Sequence, residues 1–428
     1  MTSHSPSTGD QIFGPQHVPA IVRVLCAVAI ILCLTVSQYA LYAAGIAYEV
    51  KGGNPIVKIH PASWVILVAF AIFFLYRACG AARLRAWVVE RAGLLAYSLI
   101  CILVTLYKGS TDGLSGLALP VDSFLVPSLL VLMLADMPAA YRQRLVSLIV
   151  ALAVLNAVIG VAEVRLHARI FPYELHGMPM QEAYFRATAL NGHPLRNAML
   201  TACALLALLG RPWSFAVRFA CFISLGMGLL AFSGRTATFI GLCGFVFLFG
   251  RLFNQYVRAS RKAFMFAAWA AMVLGSVTAS GASAVFMTTK FGARILNGDI
   301  NDESAAVRVH LLALFDKIDV TDLFFGYSFD DIDQLTIASH LPAIECFWVF
   351  MTLYLGVIAF TPWVLGLLYE VIYLVRRTDM AGRAILLCVL LIASTSVSLS
   401  SKDTLLNIVF ALAMGTGAAD FTPRVRAA

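Results

Sequence analysis

Long apolar runs broken by short polar stretches fill the chain from Ala20 to about residue 418. An α-helix needs about 17 to 25 mostly apolar residues to cross a hydrocarbon core roughly 30 Å thick. Twelve runs meet or approach that length, near 20–48, 62–79, 91–107, 117–135, 145–162, 196–210, 213–232, 235–250, 263–287, 343–374, 384–400 and 403–418. The expected fold is therefore all-α, a polytopic transmembrane helix bundle of about 12 spans. Residues 1–19 are expected to be a flexible tail, 20–418 a single integral membrane domain, and 419–428 a second tail. An even span count puts both termini on one side. The segments 163–195 and 288–342 are too long to be simple connectors. In the second, Val307, Leu311, Leu314, Phe315 and Ile318 recur at helical spacing, while Arg308, Asp316 and Lys317 occupy other faces. That pattern predicts an amphipathic helix on the outer surface or capping the bundle.

Composition agrees with the pattern. Hydrophobic residues make up 61% of the 428-residue chain and charged residues 13%, about half the charged fraction of a soluble domain. A soluble enzyme, a disordered scaffold and a collagen-like fibre are excluded. The net charge of +8 does not point to nucleic acid, because the basic residues punctuate the apolar runs. With both termini in the cytoplasm, the inner side receives Arg77, Arg83, Arg85, Arg91, Arg142, Arg144, Arg211, Arg251, Arg376 and Arg377 among others. The short outer loops keep only Lys51, Lys58, Lys108, Arg235 and Lys402. Positive residues favour the cytoplasmic side, so 163–195 and 288–342 are expected outside. Most of the nine cysteines lie inside apolar runs and no C-x-x-C pair occurs, so they read as small hydrophobes rather than as a metal or redox site.

Chemistry is expected where polar residues interrupt the spans. The sixth span begins after Asn191-Gly192-His193-Pro194-Leu195-Arg196-Asn197, with Pro194 suited to a first helical turn. The eighth begins at Ser233-Gly234-Arg235-Thr236, where Ser233 can cap the first amides. The tenth follows Ser339-His340-Leu341-Pro342, with Glu345 about one turn later. All three run from outside to inside, so their free N–H groups and positive dipole ends open outward. Together with Arg196, Arg235 and two histidines they would form an anion pocket. Each element also has an ordinary reading: a boundary arginine snorkels to headgroups, a His before Pro caps a helix, and Arg186, Arg294 and Arg308 on loops are solvated. Asp330, Asp331 and Asp333 read as a solvated acidic stretch rather than a metal site.

The stretch from Ser339 to Phe360, containing His340, Glu345 and Gly356, resembles the O-antigen ligase and polysaccharide polymerase family. Members of that family carry a His at the end of a large periplasmic loop, a Glu about a turn later and a Gly beyond. Arg308 to Tyr327, ending in Leu-Phe-Phe-Gly-Tyr, looks like the family's loop helix and glycine turn. Ser233-Gly234-Arg235 looks like its Ser-Arg helix start, and Phe185-Arg186 to Asn197 like its Arg and Gly-x-x-His-Pro-x-x-Asn segment. Leu341 stands where the family commonly has Asn. The resemblance covers roughly residues 185 to 375.

The resemblance implies a multi-pass protein of the bacterial inner membrane with a periplasmic active face. The donor would be an oligosaccharide on undecaprenyl diphosphate and the acceptor a glycan or lipid hydroxyl, with export or chain-length proteins as further partners. His340 would take the acceptor proton and Glu345 orient it. Arg196, Arg235, His193, Arg186, Arg308 and Arg294 would hold the diphosphate, with no metal or cofactor implied. Polymerase and ligase share these motifs and stay open, as do a secondary transporter and an assembly factor without chemistry.

Overall fold

A computed structural model describes residues 18–48, 54–171, 173–175, 178–179, 185–259, 314, 317–339, 341, 344, 346–394, 399 and 402–417. Apart from one two-residue antiparallel pair, β1 (Glu174–Leu175) with β2 (Met178–Pro179), the regular structure of these residues is helical. In chain order the helices are α1 (Ala20–Thr35), α2 (Gln38–Ala43), α3 (Pro61–Ala78), α4 (Ala81–Glu90), α5 (Ala92–Thr111), α6 (Ala118–Ala135), α7 (Ala139–Leu166), α8 (Pro194–Leu208), α9 (Phe215–Phe232), α10 (Arg235–Ala259), α11 (Val320–Phe325), α12 (Phe329–Ala338), α13 (Phe347–Arg377), α14 (Met380–Ala393) and α15 (Leu405–Gly415). A single π-turn, Val121–Leu125, interrupts α6.

Helices lie over each expected span that falls within the described residues; the ninth, 263–287, lies outside them. By length and hydropathy α3, α5, α6, α7 and α13 can each cross a membrane, and five further apolar helices are shorter. The bundle is compatible with a membrane-embedded protein. Its surface supports this, since Val68, Leu75, Leu103, Leu106, Val246 and Leu365 are all exposed, an apolar coat that water would penalise and lipid would not. The expected amphipathic helix around 307–318 lies outside the described residues except for Leu314, Lys317 and Ile318.

The centre is α6, 94% buried, with α8 and α15 beside it. Small residues allow the close approaches. The parallel pair α8 and α10 meet at Gly234 on Ala198, Gly241 on Ala202 and Gly244 on Leu206; a Cβ on Gly241 would lie 2.8 Å from that of Ala202. Such contacts suit a bilayer, where association rests on packing rather than on release of water.

Two ends of the bundle can be told apart. At the short-turn end, the arginines that the charge pattern reads as topology signals are buried and bonded. Asp136 accepts from Arg77 at 2.7 Å, Arg91 at 2.9 Å and the Trp87 indole at 2.9 Å. Arg142 donates to the Leu134 and Met414 carbonyls, each at 3.3 Å, and Arg211 to those of Gly415 at 3.2 Å and Thr416 at 3.1 Å. These guanidinium groups cap the C-termini of α6 and α15, where carbonyls lack partners and the dipole favours a cation.

The expected tenth span differs most from the sequence reading. It is not one descending helix opening on the loop end. Gly356 (φ 71°, ψ 156°) breaks α13, and the Phe347 ring lies 6.1 Å from that of Trp363. Sixteen residues of unbroken helix would separate their Cα atoms by about 24 Å. The arm before Gly356 is therefore folded back against the arm after it, and its first turn sits inside the bundle. Gly326 (φ 85°, ψ 155°) packs its backbone against this break. A Cβ there would lie 2.6 Å from the Gly356 nitrogen, and Tyr327 N–H donates to the Leu353 carbonyl at 2.8 Å. Both glycines occupy a region essentially closed to other residues. Beneath them buried Lys108 joins Asp112 at 3.1 Å and the Tyr327 carbonyl at 3.1 Å, and lies 4.4 Å from the Tyr354 ring centre.

Asp136→Ala leaves two buried cations without their shared partner and is expected to lower stability by about 3 to 5 kcal/mol, read as a fall in melting temperature in detergent. Gly356→Ala should cost about 1 to 3 kcal/mol in backbone strain and expose 317–339 to protease before the rest of the bundle; unchanged cleavage would show that the Gly326 contact does not hold this segment.

Candidate functional site at converging helix N-termini

The loop end collects the starts of α3, α6, α8, α10 and α15. Four of these share a buried polar knot. Arg196, in the first turn of α8, pairs through Nε with Asp403 Oδ1 at 3.1 Å and donates through Nη2 to Thr404 Oγ1 at 2.7 Å and the Cys33 carbonyl at 3.3 Å. Asp403 caps the Leu405 N–H at 2.7 Å. A cation at its own helix N-terminus opposes the dipole, and Asp403 together with the C-terminal carbonyl of α1 offsets that. His60, the N-cap of α3, accepts from Ala62 N–H through Nδ1 at 3.1 Å, and its Nε2 lies 2.8 Å from the Val36 carbonyl. With Nδ1 accepting, the proton is on Nε2. Asp122, in the π-turn, accepts from the Tyr48 hydroxyl at 2.8 Å and from His60 N–H. Lys402 donates to the carbonyls of Tyr48 at 2.6 Å and Lys58 at 3.0 Å.

Beside the knot, a loop is folded over the mouth of α8. Buried Glu163 accepts from the N–H groups of Ile170, Thr188 and Ala189 at 2.9, 2.8 and 2.8 Å. Asn156 donates to Asn197 Oδ1 at 2.8 Å and accepts from Leu190 N–H at 2.9 Å, while Asn197 donates to the Thr188 carbonyl at 2.6 Å. Gly192 (φ 77°) sets its bare Cα against Tyr39 and Ser37, where a Cβ would come within 2.6 Å of the Tyr39 ring. Ala187 N–H donates to the Ala231 carbonyl at 3.2 Å, tying the loop to the end of α9.

His193 caps α8, accepting from Leu195 N–H through Nδ1 at 3.3 Å. Burial, with the charges of Arg186 and Arg196, pushes its pKa down to about 4, so it is neutral at pH 7. Arg186 is half-buried, and its carbonyl accepts from Arg169 at 3.1 Å; the Arg169 guanidinium lies 4.5 Å from the Phe185 ring centre and 5.0 Å from that of Tyr173. Arg196 is 8% exposed and engaged as described. Arg235 is exposed at the first position of α10. Because Gly234 packs on Ala198, the mouths of α8 and α10 adjoin, and Arg186, His193, Arg196 and Arg235 gather around them. Ser233 does not cap α10: it is left-handed (φ 53°) and its hydroxyl donates back to the Leu230 carbonyl at 3.1 Å. Ser328 caps α12, its hydroxyl accepting from Asp331 N–H at 3.2 Å while the Asp331 carboxylate accepts from Ser328 N–H at 3.3 Å, which accounts for one member of the acidic stretch. His340, Glu345, Arg294 and Arg308 lie outside the described residues.

Sequence reasoning passed over His60, Asp122 and Asp403. A signal existed for Asp122, a carboxylate inside an apolar run; His60 and Asp403 stand in loops, where partners cannot be read from spacing. Comparison with protein-family models, with curated proteins and with solved structures finds no match.

Burial pushes the pKa of His60 down to about 4 from its ordinary 6.5; the Val36 bond opposes this, and the charges of Arg196 and Lys402 add to it. Between those values the unfolded chain takes up a proton that the folded one does not, so stability falls as pH drops from about 6.5 to about 4, by about 3 kcal/mol at most for this group. His60→Asn keeps an N-cap acceptor and should make that part of the melting-temperature profile shallower, leaving the slope that His193 contributes over the same range; an equally steep profile would assign the loss elsewhere.

Proposed function

We propose that the chain is a glycosyltransferase of the bacterial inner membrane that works at the loop end, taken as the periplasmic face. It moves glycan from an undecaprenyl-diphosphate donor to an acceptor hydroxyl in exopolysaccharide or O-antigen assembly, with polymerisation favoured over ligation. The observation that carries this reading is the meeting of the α8 and α10 N-termini among Arg186, His193, Arg196 and Arg235.

Expelling a diphosphate from a sugar develops negative charge that the site must hold. Exposed Arg235 and half-buried Arg186 supply guanidinium groups, and the two helix mouths supply positive dipole ends. Arg196, bound to Asp403, contributes mainly by fixing α8 in place. Donors already oriented toward developing charge lower the barrier without reorganising. His340 removes the acceptor proton near neutral pH, and Glu345 orients it; both roles come from the sequence resemblance. A transporter is favoured by the break at Gly356 and the π-turn in α6, since interrupted helices line many transport sites; substrate flux into proteoliposomes without bond formation would select it.

Arg235→Ala is expected to slow transfer from a lipid-linked donor about a hundred- to a thousandfold. His340→Ala should express and bind donor normally yet transfer no glycan, and transfer should persist in chelator. Wild-type rates in His340→Ala would remove that residue from the mechanism. Glycans of a deletion strain would separate the two enzyme classes: single repeats accumulate without a polymerase, whereas full-length polymer stays on the carrier without a ligase.

A further inference from the structure

The polar side chains packed around the α8 mouth do not all have the same status. Asn156 and Asn197 satisfy one another and the loop backbone, and Glu163 accepts three N–H groups. Asn191 is different. It is 2% exposed, yet neither its side-chain oxygen nor its nitrogen has a hydrogen-bond partner. The Thr188 hydroxyl, 1% exposed, is in the same condition. The two belong to one turn, closed by Gly192 N–H donating to the Thr188 carbonyl at 2.9 Å. That turn leads through His193 into α8, a 15-residue helix. A buried polar group left unbonded costs about 1 to 3 kcal/mol, and two such groups in an otherwise bonded loop call for a partner outside the chain.

We propose that Asn191 and Thr188 form a hydrogen-bonding subsite for the sugar directly attached to the donor diphosphate. This rests on the functional reading above and adds the group next to the phosphates. The chemistry fits a neutral polyhydroxylated ring rather than a phosphate. An amide offers two donors and an acceptor and a hydroxyl offers both, and neither carries charge, whereas the cationic groups Arg186 and Arg235 are already at hand for an anion. Neutral His193, beside the turn, likewise suits an uncharged ligand. The subsite would discriminate between sugars by hydrogen bonding, which rejects a ligand lacking the matching group far more sharply than an apolar pocket does.

The test uses the full-length chain in detergent and two synthetic probes, a polyprenyl diphosphate bearing one sugar and the same polyprenyl diphosphate without it. Wild-type protein should bind both, the sugar-bearing one more tightly. Asn191→Ala and Thr188→Val should lose about tenfold or more affinity for the sugar-bearing probe and none for the bare one. Because neither substitution removes an internal hydrogen bond, both variants should melt at or above the wild-type temperature, whereas Asn156→Ala, which breaks two, should melt lower. Unchanged affinity for the sugar-bearing probe in Asn191→Ala overturns the proposal. So does an equal loss for both probes, or a melting temperature lowered like that of Asn156→Ala without selective loss. Wild-type protein that binds neither probe rejects the glycosyltransferase reading and this subsite with it, while wild-type binding that Asn191→Ala leaves intact rejects the subsite alone.

Discussion

Arg196 carries a full charge into a bundle whose surroundings cannot solvate it, and its pairing with Asp403 is the constraint on which the loop end depends. An isolated guanidinium at that depth would be several kcal/mol unfavourable. The same guanidinium satisfies the Cys33 carbonyl at the end of α1 and the Thr404 hydroxyl before α15. One side chain thereby couples α1, α8 and α15. His60 and Asp122 extend the arrangement to α3 and α6. Helix ends that water would satisfy in a soluble protein are here satisfied by each other.

The two ends of the bundle solve the same problem with opposite hydrogen-bonding groups, donors at one and acceptors at the other. At the short-turn end, Arg142 and Arg211 fill the carbonyls of helix C-termini. At the loop end, Asp403 and the neutral imidazoles of His60 and His193 accept the N–H groups of helix N-termini. Arg186 and Arg235 add positive charge around the adjoining mouths of α8 and α10, and the proposed diphosphate site rests on that placement.

Backbone contact through glycine gives this end its shape. Gly234 brings two helix mouths together, Gly192 seats the loop on Tyr39, and Gly326 meets Gly356 where α13 folds back. Each is a position where a Cβ would force elements apart. Glu163 performs the complementary task with hydrogen bonds, holding three amides of the loop that carries Arg186, Asn191 and His193. Rigid placement of this kind lets charged and hydrogen-bonding groups act without first reorganising.

Hydrophobic periodicity by itself determined the helical class and, among the described residues, the positions of the helices that lie over the expected spans. It could do so because burial in hydrocarbon is a property of local composition, readable over about 20 residues. The motifs around His193, Arg196 and Arg235 likewise marked the helix mouths, because Gly, Pro and capping residues have local conformational meaning. Tertiary structure decided which charges meet. The basic residues before and after the spans read as a topology signal, yet Arg77, Arg91, Arg142 and Arg211 are buried in specific bonds, and Arg196 is joined to Asp403, 207 positions further along the chain. The fold-back at Gly356 was equally hidden, since apolar residues continue through it and only the Gly326 backbone pressed against it explains the turn. Electrostatic pairing and close backbone contact depend on distance in space, and spacing along the chain does not record that distance.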